Sequence, residues 1–202
     1  MAARKTTATS DPTTRLADAA LKRLARTPWQ DLTLAAVARS ARVPLADLQT
    51  ICGAKPALLG LILSRIGGLV AARYRPERDS EVHDRLFDVA MCVFDVLAPH
   101  RKAMRSLYDG LRRDPLALIA ARQPVIDTGN WLLVLAGADT GPALPLRALA
   151  LAGVLARAVP VWLDDGPDLA RTMARLDTDL RRGETVLDRM AGRRGDDNGD
   201  AD

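Results

Sequence analysis

The chain has 202 residues, of which 48% are apolar and only 3% aromatic, and it carries a net charge of +4. That apolar share is ample for a packed core and argues against a chain disordered throughout. Ala, Leu and Arg are frequent and β-branched runs are few, which favours helix almost everywhere; no segment alternates apolar and polar residues as a strand would.

Residues 1–10 are rich in Thr and Ala and read as a disordered arm. A flexible arm along a nucleic-acid backbone and a loose terminus are both open at this point. The segment lacks the apolar stretch of a secretory signal. The first helix is expected from about Asp11 to Arg26, with Asp11 as cap and Pro12 in the first turn. Leu16, Ala19, Ala20 and Leu24 form its inner face, and Arg15, Lys22, Arg23 and Arg26 its outer one. Thr27-Pro28-Trp29 ends it, because the residue before a proline is pushed out of the helical region. Trp29 and Leu32 are expected to pack beneath the next unit.

That unit runs from Thr33 to Leu59. Thr33 can cap a short helix in which Leu34, Val37 and Ala38 share one face. Ala41-Arg42-Val43 breaks the rhythm, and Pro44 restarts it. Leu45 and Leu48 are predicted to continue the buried face, with Cys52 one turn on. Two short helices across a tight turn make a helix-turn-helix, which needs a third helix behind it.

From Leu58 onward the apolar residues thicken, and the helix they form is expected to be buried on more than one side. Gly67-Gly68 marks a bend or a close crossing, and Tyr74-Arg75-Pro76 a soft boundary. The remaining helices are expected at about 80–98, 100–113, from Asp114-Pro115 to an interruption at Pro124, 126–135, 146–163 and 168–190. The predicted division is therefore 1–10 arm, 11–57 helix-turn-helix unit, 58–190 helical body and 191–202 disordered tail, in an all-α protein.

Charge is unevenly placed. Residues 1–57 hold nine basic against four acidic residues, a net +5, which leaves −1 for the rest of the +4 chain. A basic head on a near-neutral body suits a polyanionic partner. Cys52 and Cys92 lie in apolar helical contexts and read as reduced, buried thiols of a cytoplasmic protein. The stretch 143–163 is apolar but carries Arg147, Arg157 and two prolines, so a buried helix is expected there and no membrane span. His83 and His100 have no metal-ligand spacing around them, and Asp164, Asp165 and Asp168 are read as helix-capping carboxylates. No catalytic constellation, cofactor loop or metal site is predicted.

Leu16–Leu63 resembles the DNA-binding domain of the TetR family of bacterial transcriptional repressors. The resemblance rests on the Ala-rich first helix before Trp29, then Leu32-Thr33-Leu34-x-x-Val37-Ala38, Ala41-x-Val43-x-Leu45-x-x-Leu48 and Lys55-x-Ala57-Leu58-Leu59. It implies a homodimer of all-helical subunits paired through the last two helices, about 146–190. It also implies a palindromic double-stranded DNA partner and a small apolar effector in the body. By this resemblance Pro44–Cys52 is the reading helix. Pro44, Ala46, Asp47, Gln49 and Thr50 then belong to the DNA face, while Thr33, Arg42 and Lys55 hold the phosphate backbone. Phe87, Met91, Phe94, Met104, Tyr108 and Trp131 are the expected pocket residues.

Three positions depart from the family pattern: Gln49 replaces a tyrosine, Cys52 a phenylalanine and Arg42 the turn glycine. The pattern Trp162-Leu163-x-Asp165 with Asp168-Leu169-Ala170 also resembles TetR-like proteins of α-proteobacteria. The C-terminal part is faintly similar to TetR-like lipid-binding proteins of ubiquinone biosynthesis. A lipid or quinone-precursor binder that has lost DNA binding is therefore the alternative reading.

Overall fold

The computed structural model describes residues 11–77, 79–140 and 144–196, with side chains to residue 185. The expected arm, 1–10, lies outside the described residues. Nine α-helices and one 3-10 turn make up the described part, and no strand occurs among these residues. The helices are α1 (Pro12–Leu24), α2 (Leu34–Ala41), α3 (Leu45–Ile51), α4 (Lys55–Arg73), α5 (Val82–Leu97), α6 (Arg101–Arg112), α7 (Pro115–Leu135), α8 (Leu144–Leu163) and α9 (Ala170–Asp196), with the 3-10 turn Ala98–His100 before α6. The predicted tail thus begins inside α9, which continues to Asp196; residues 197–202 lie outside the described part.

α1 forms as its sequence suggests, with Pro12 in the first turn and Leu16, Ala20 and Leu24 fully buried. It packs on α2, α4 and α6. α4 crosses the expected boundary at residue 57 without a break. It packs on α1 of the head and on α5 and α7 of the body. One hydrophobic cluster accordingly runs from Leu16 through Ile62 and Phe94 to Leu180. α4 and α8 are long and apolar enough to cross a membrane by length and composition alone. Both contribute core side chains to this bundle, including Ile62 and Val70 from α4 and Leu151 and Trp162 from α8.

Pro124 does not interrupt its helix. α7 runs continuously through it, and Thr128 Oγ1 donates to the Pro124 carbonyl at 2.8 Å. Gly67 does mark a close crossing: the Trp131 indole N–H donates to its carbonyl at 3.2 Å, and a Cβ there would lie 3.0 Å from the ring. At the α8–α9 junction Asp165 is buried and accepts from Thr172 Oγ1 and the Thr172 N–H, both at 2.7 Å. The Thr172 hydroxyl bond holds the Asp165 carboxyl below the usual carboxylate range. Its capping role thus matches the sequence reading. His83 stands at the start of α5, and its ring lies between Glu184 (3.1 Å) and Asp177 (3.3 Å) of α9.

Head and body meet at Trp29. The ring is buried and lies against Gly110 of α6, where an added Cβ would fall 2.8 Å from ring carbons. Ser106 Oγ donates to the Thr27 carbonyl at 3.1 Å, and Gln30 Nε2 to the Gly110 carbonyl at 3.4 Å.

Two experiments follow from this packing. Overfilling a tight site costs about 2 kcal/mol, so Gly110→Ala should lower the melting midpoint by about 6 °C. Gly68→Ala, whose Cβ meets nothing, should instead raise it, since alanine is the better helix former; thermal circular dichroism reads both. The depressed Asp165 ionisation contributes stability above the ordinary carboxyl value of about 3.9, and that contribution is lost as pH falls through the folded value. Urea titrations should therefore show Asp165→Asn less stable than wild type at neutral pH, with the gap closing in acid.

Candidate nucleic-acid interface

The helix-turn-helix is built by local chemistry. Thr33 has extended backbone, and its Oγ1 accepts from the Ala36 N–H at 3.2 Å, capping α2. The hydroxyl proton is left to donate outward from an exposed position. Arg42 ends α2 in the left-handed conformation, with φ 55° and ψ 45°. Its N–H is satisfied by the Arg39 carbonyl at 3.3 Å, and Val43 then bonds the Ala38 carbonyl at 3.0 Å and buries its side chain. The turn is therefore the one a glycine would make, built with an arginine whose side chain stands in solvent.

α3 is only seven residues long and is held by few contacts. Leu48 and Cys52 are buried beneath it and Ile51 is half-buried. Cys52, standing where the aromatic was expected, has its thiol against the Ala54 carbonyl at 3.4 Å, and burial pushes its ionisation up. Pro44, Ala46, Asp47, Gln49 and Thr50 are all exposed, so the predicted reading residues share the outer surface of one helix.

Leu45 does not belong to the buried face. It is 63% exposed: as the first residue of α3, directly after the Pro44 cap, it stands at the edge of the head, and the core is reached only at Leu48. An exposed leucine on a reading helix can contact a thymine methyl.

Lys55 is already engaged within the chain. Its ammonium sits 4.8 Å above the Trp29 ring and donates to the Gln30 carbonyl at 3.0 Å. Burial lowers its ionisation from the usual lysine value, partly offset by Asp114 and Asp31. Of the three expected phosphate contacts, Thr33 and Arg42 are presented to solvent, whereas Lys55 braces the joint.

The six expected pocket residues are spread over several places. Phe94 and Met104 are core side chains, with Phe94 5.5 Å from Trp162 between ring centroids. Tyr108 lies under Arg112, and Met91 is half-buried on the cluster. Phe87 lines a shallow groove of about 370 Å³ with His83 and Met173. Trp131 lines another, about 460 Å³, with Gly60, Leu63, Gly67 and Pro124, between α4 and α7. No metal-ligating cluster occurs among the described residues.

No family model matches the chain, and no curated protein is significantly similar to it in sequence. Solved structures share its fold. A TetR transcriptional regulator from Rhodococcus sp. RHA1 superposes with a TM-score of 0.62 at 13% identity, covering 85% of this chain and 94% of that one. The TetR transcriptional regulator from Nitrosomonas europaea ATCC 19718 gives 0.61 at 19% identity, covering 86% and 98%. A TetR-family regulator from Streptomyces coelicolor gives 0.55 at 20% identity, covering 87% and 81%. The chain has the all-α TetR fold.

A non-glycine residue in the left-handed region is strained by about 1 kcal/mol. Arg42→Gly should therefore be neutral to stabilising by up to that amount in urea unfolding. A clear loss of stability would show that the arginine side chain, not the turn geometry, is what matters there.

Proposed function

We propose that the protein is a dimeric DNA-binding transcriptional regulator of the TetR type, acting as a repressor, and that residues 44–50 read a palindromic duplex. The observation that carries this reading is the exposed face of α3 on a capped helix-turn-helix, with Leu48 and Cys52 locked beneath it. The face holds no Arg or Lys, so base contacts would come from Asp47, Gln49 and Thr50 and from the apolar Leu45 and Ala46. Thr33 and Arg42 would hold phosphates on either side.

Pairing through α8 and α9 is supported by apolar side chains left at their surface. Leu146, Leu149 and Met173 are exposed by 39%, 49% and 42%. Such a dimer would present two reading helices to successive major-groove faces. A small apolar effector would enter beside Trp131, between α4 and α7. Displacing α4 there would move the helix that begins beneath Trp29.

Binding-site selection from a random duplex library should return a palindrome. Fluorescence anisotropy on the selected duplex should show affinity falling steeply with salt. Gln49→Ala and Thr50→Ala should each weaken it by about 1–3 kcal/mol at specific positions, while Arg42→Ala should weaken all sequences alike. Leu149→Glu should yield a monomer by sedimentation and lose the palindrome preference. A library with no enriched sequence would overturn the reading in favour of the lipid-binding alternative, for which lipid co-purifying in native mass spectrometry is the test.

A further inference from the structure

An open groove of about 1360 Å³ runs along one flank of the molecule, where head and body meet. Its lining comes from α1 and residues 25–27 after it, the C-terminal end of α2 with Arg42 at the turn, the 3-10 turn, the first turns of α6 and Leu163 of α8; no residue of α3 contributes. The groove therefore excludes the reading helix itself and meets its surroundings only at Arg42. From the head, α1 turns Arg15, Lys22 and Arg23 into it, at spacings that share one helix face, and Arg26 joins them from the turn that follows. From the body, Arg101, Lys102 and Arg105 stand on the opposite wall.

Little within the chain balances this charge. Asp18 is the one acidic lining residue among the described residues, and its carboxylate is 2.9 Å from Arg65 Nε, outside the groove. Arg101 is tied to the Asp165 carbonyl at 2.9 Å and lies over the Trp162 ring, and Arg105 pairs with Asp164. Arg15, Lys22, Arg23, Arg26 and Lys102 have no carboxylate partner among the described residues. Two of them are also short of acceptors. Arg15 and Arg23 each reach a neutral oxygen through one terminal nitrogen, at the Arg42 carbonyl (3.4 Å) and Ser40 Oγ (3.1 Å). The Nε of each is closed off from solvent with no acceptor at all. A guanidinium carries five donors, so the terminal nitrogens of both arginines keep N–H groups to give to an anion in the groove.

The occupant must carry several charges in a narrow chain, because the cations face one another across a concave joint instead of forming a flat or convex track. We propose that this groove binds a small polyphosphate, free or as the tail of a nucleotide, which bridges α1 of the head and the first turn of α6. Side chains from both units would hold its oxygens, with the guanidinium groups of Arg15 and Arg23 on one side and the Lys102 ammonium on the other. The bound anion ties the head to the body at one angle.

The binding test uses the full-length protein without DNA, so its result is separate from the regulator reading; a duplex enters only as a final competitor. Isothermal titration with inorganic tripolyphosphate should show one site per protomer, and sulfate at equal ionic strength should bind at least tenfold more weakly. Lys22→Glu combined with Lys102→Glu should weaken tripolyphosphate at least tenfold; neither residue makes an ion pair among the described residues, so the fold should persist by circular dichroism. Arg122→Glu, on α7 and outside the groove, should leave binding unchanged. A nucleoside triphosphate binding more tightly than tripolyphosphate assigns the nucleotide form, and equal affinity assigns the phosphate chain alone. The proposal is overturned by tripolyphosphate binding no tighter than sulfate, or by Arg122→Glu weakening it as much as the double variant. It is equally overturned if tripolyphosphate competes with a selected duplex and the double variant loses duplex binding in step, which would make the groove part of a DNA track.

Discussion

The seating of Trp29 on Gly110 is the contact on which the arrangement of the two units depends. An indole buries a large apolar surface, and here it does so at the seam between α1 and α6 instead of inside either unit. The bare Cα of Gly110 lets the ring approach the helix backbone. Lys55 covers the ring and closes the Gln30 carbonyl, while Ser106 closes that of Thr27. A loop that would otherwise expose unpaired carbonyls is thereby satisfied by side chains of α4 and α6. α4 and α6 thus both grip the loop 25–33 between α1 and α2, which fixes the head against the body.

α4 extends that constraint through the molecule. It starts at Lys55 beneath Trp29 and reaches Gly67, where Trp131 of α7 packs and donates its N–H. Gly129 on the same helix lies against the Ala148 backbone of α8, with no room for a side chain. Two glycines on successive crossings thus bring three helices close enough for backbone and ring to touch. Closely packed elements of this kind move together or not at all.

Charge is arranged by a different rule. The outer face of α3 is neutral or acidic, and the cations of the amino-terminal quarter are gathered on its flanks. Arg42 at the turn and Arg15 and Arg23 of α1 line one groove behind α3. There the Nε atoms of Arg15 and Arg23 are buried without acceptors.

The sequence alone determined the all-helical class, the capped α2 and the restart of the helix at Pro44. Each of these is set by residues within a turn or two of one another: Thr33 with Ala36, Pro44 with the start of α3. Local spacing failed where the outcome depended on distant partners. It placed Leu45 inside because periodicity does not register that the first residue of a helix can stand beyond the edge of the core. It broke α7 at Pro124 and gave Lys55 to the solvent because neither Thr128 nor Trp29 can be located by spacing. It also grouped six apolar side chains into one pocket, although the bundle divides them between core and two separate grooves. Only tertiary structure decided the Trp29–Gly110 seam, the clasp of His83 between Asp177 and Glu184, and the basic groove. Each brings together groups from helices far apart in the chain, and the register of one helix against another follows from the shapes of all the packed side chains at once.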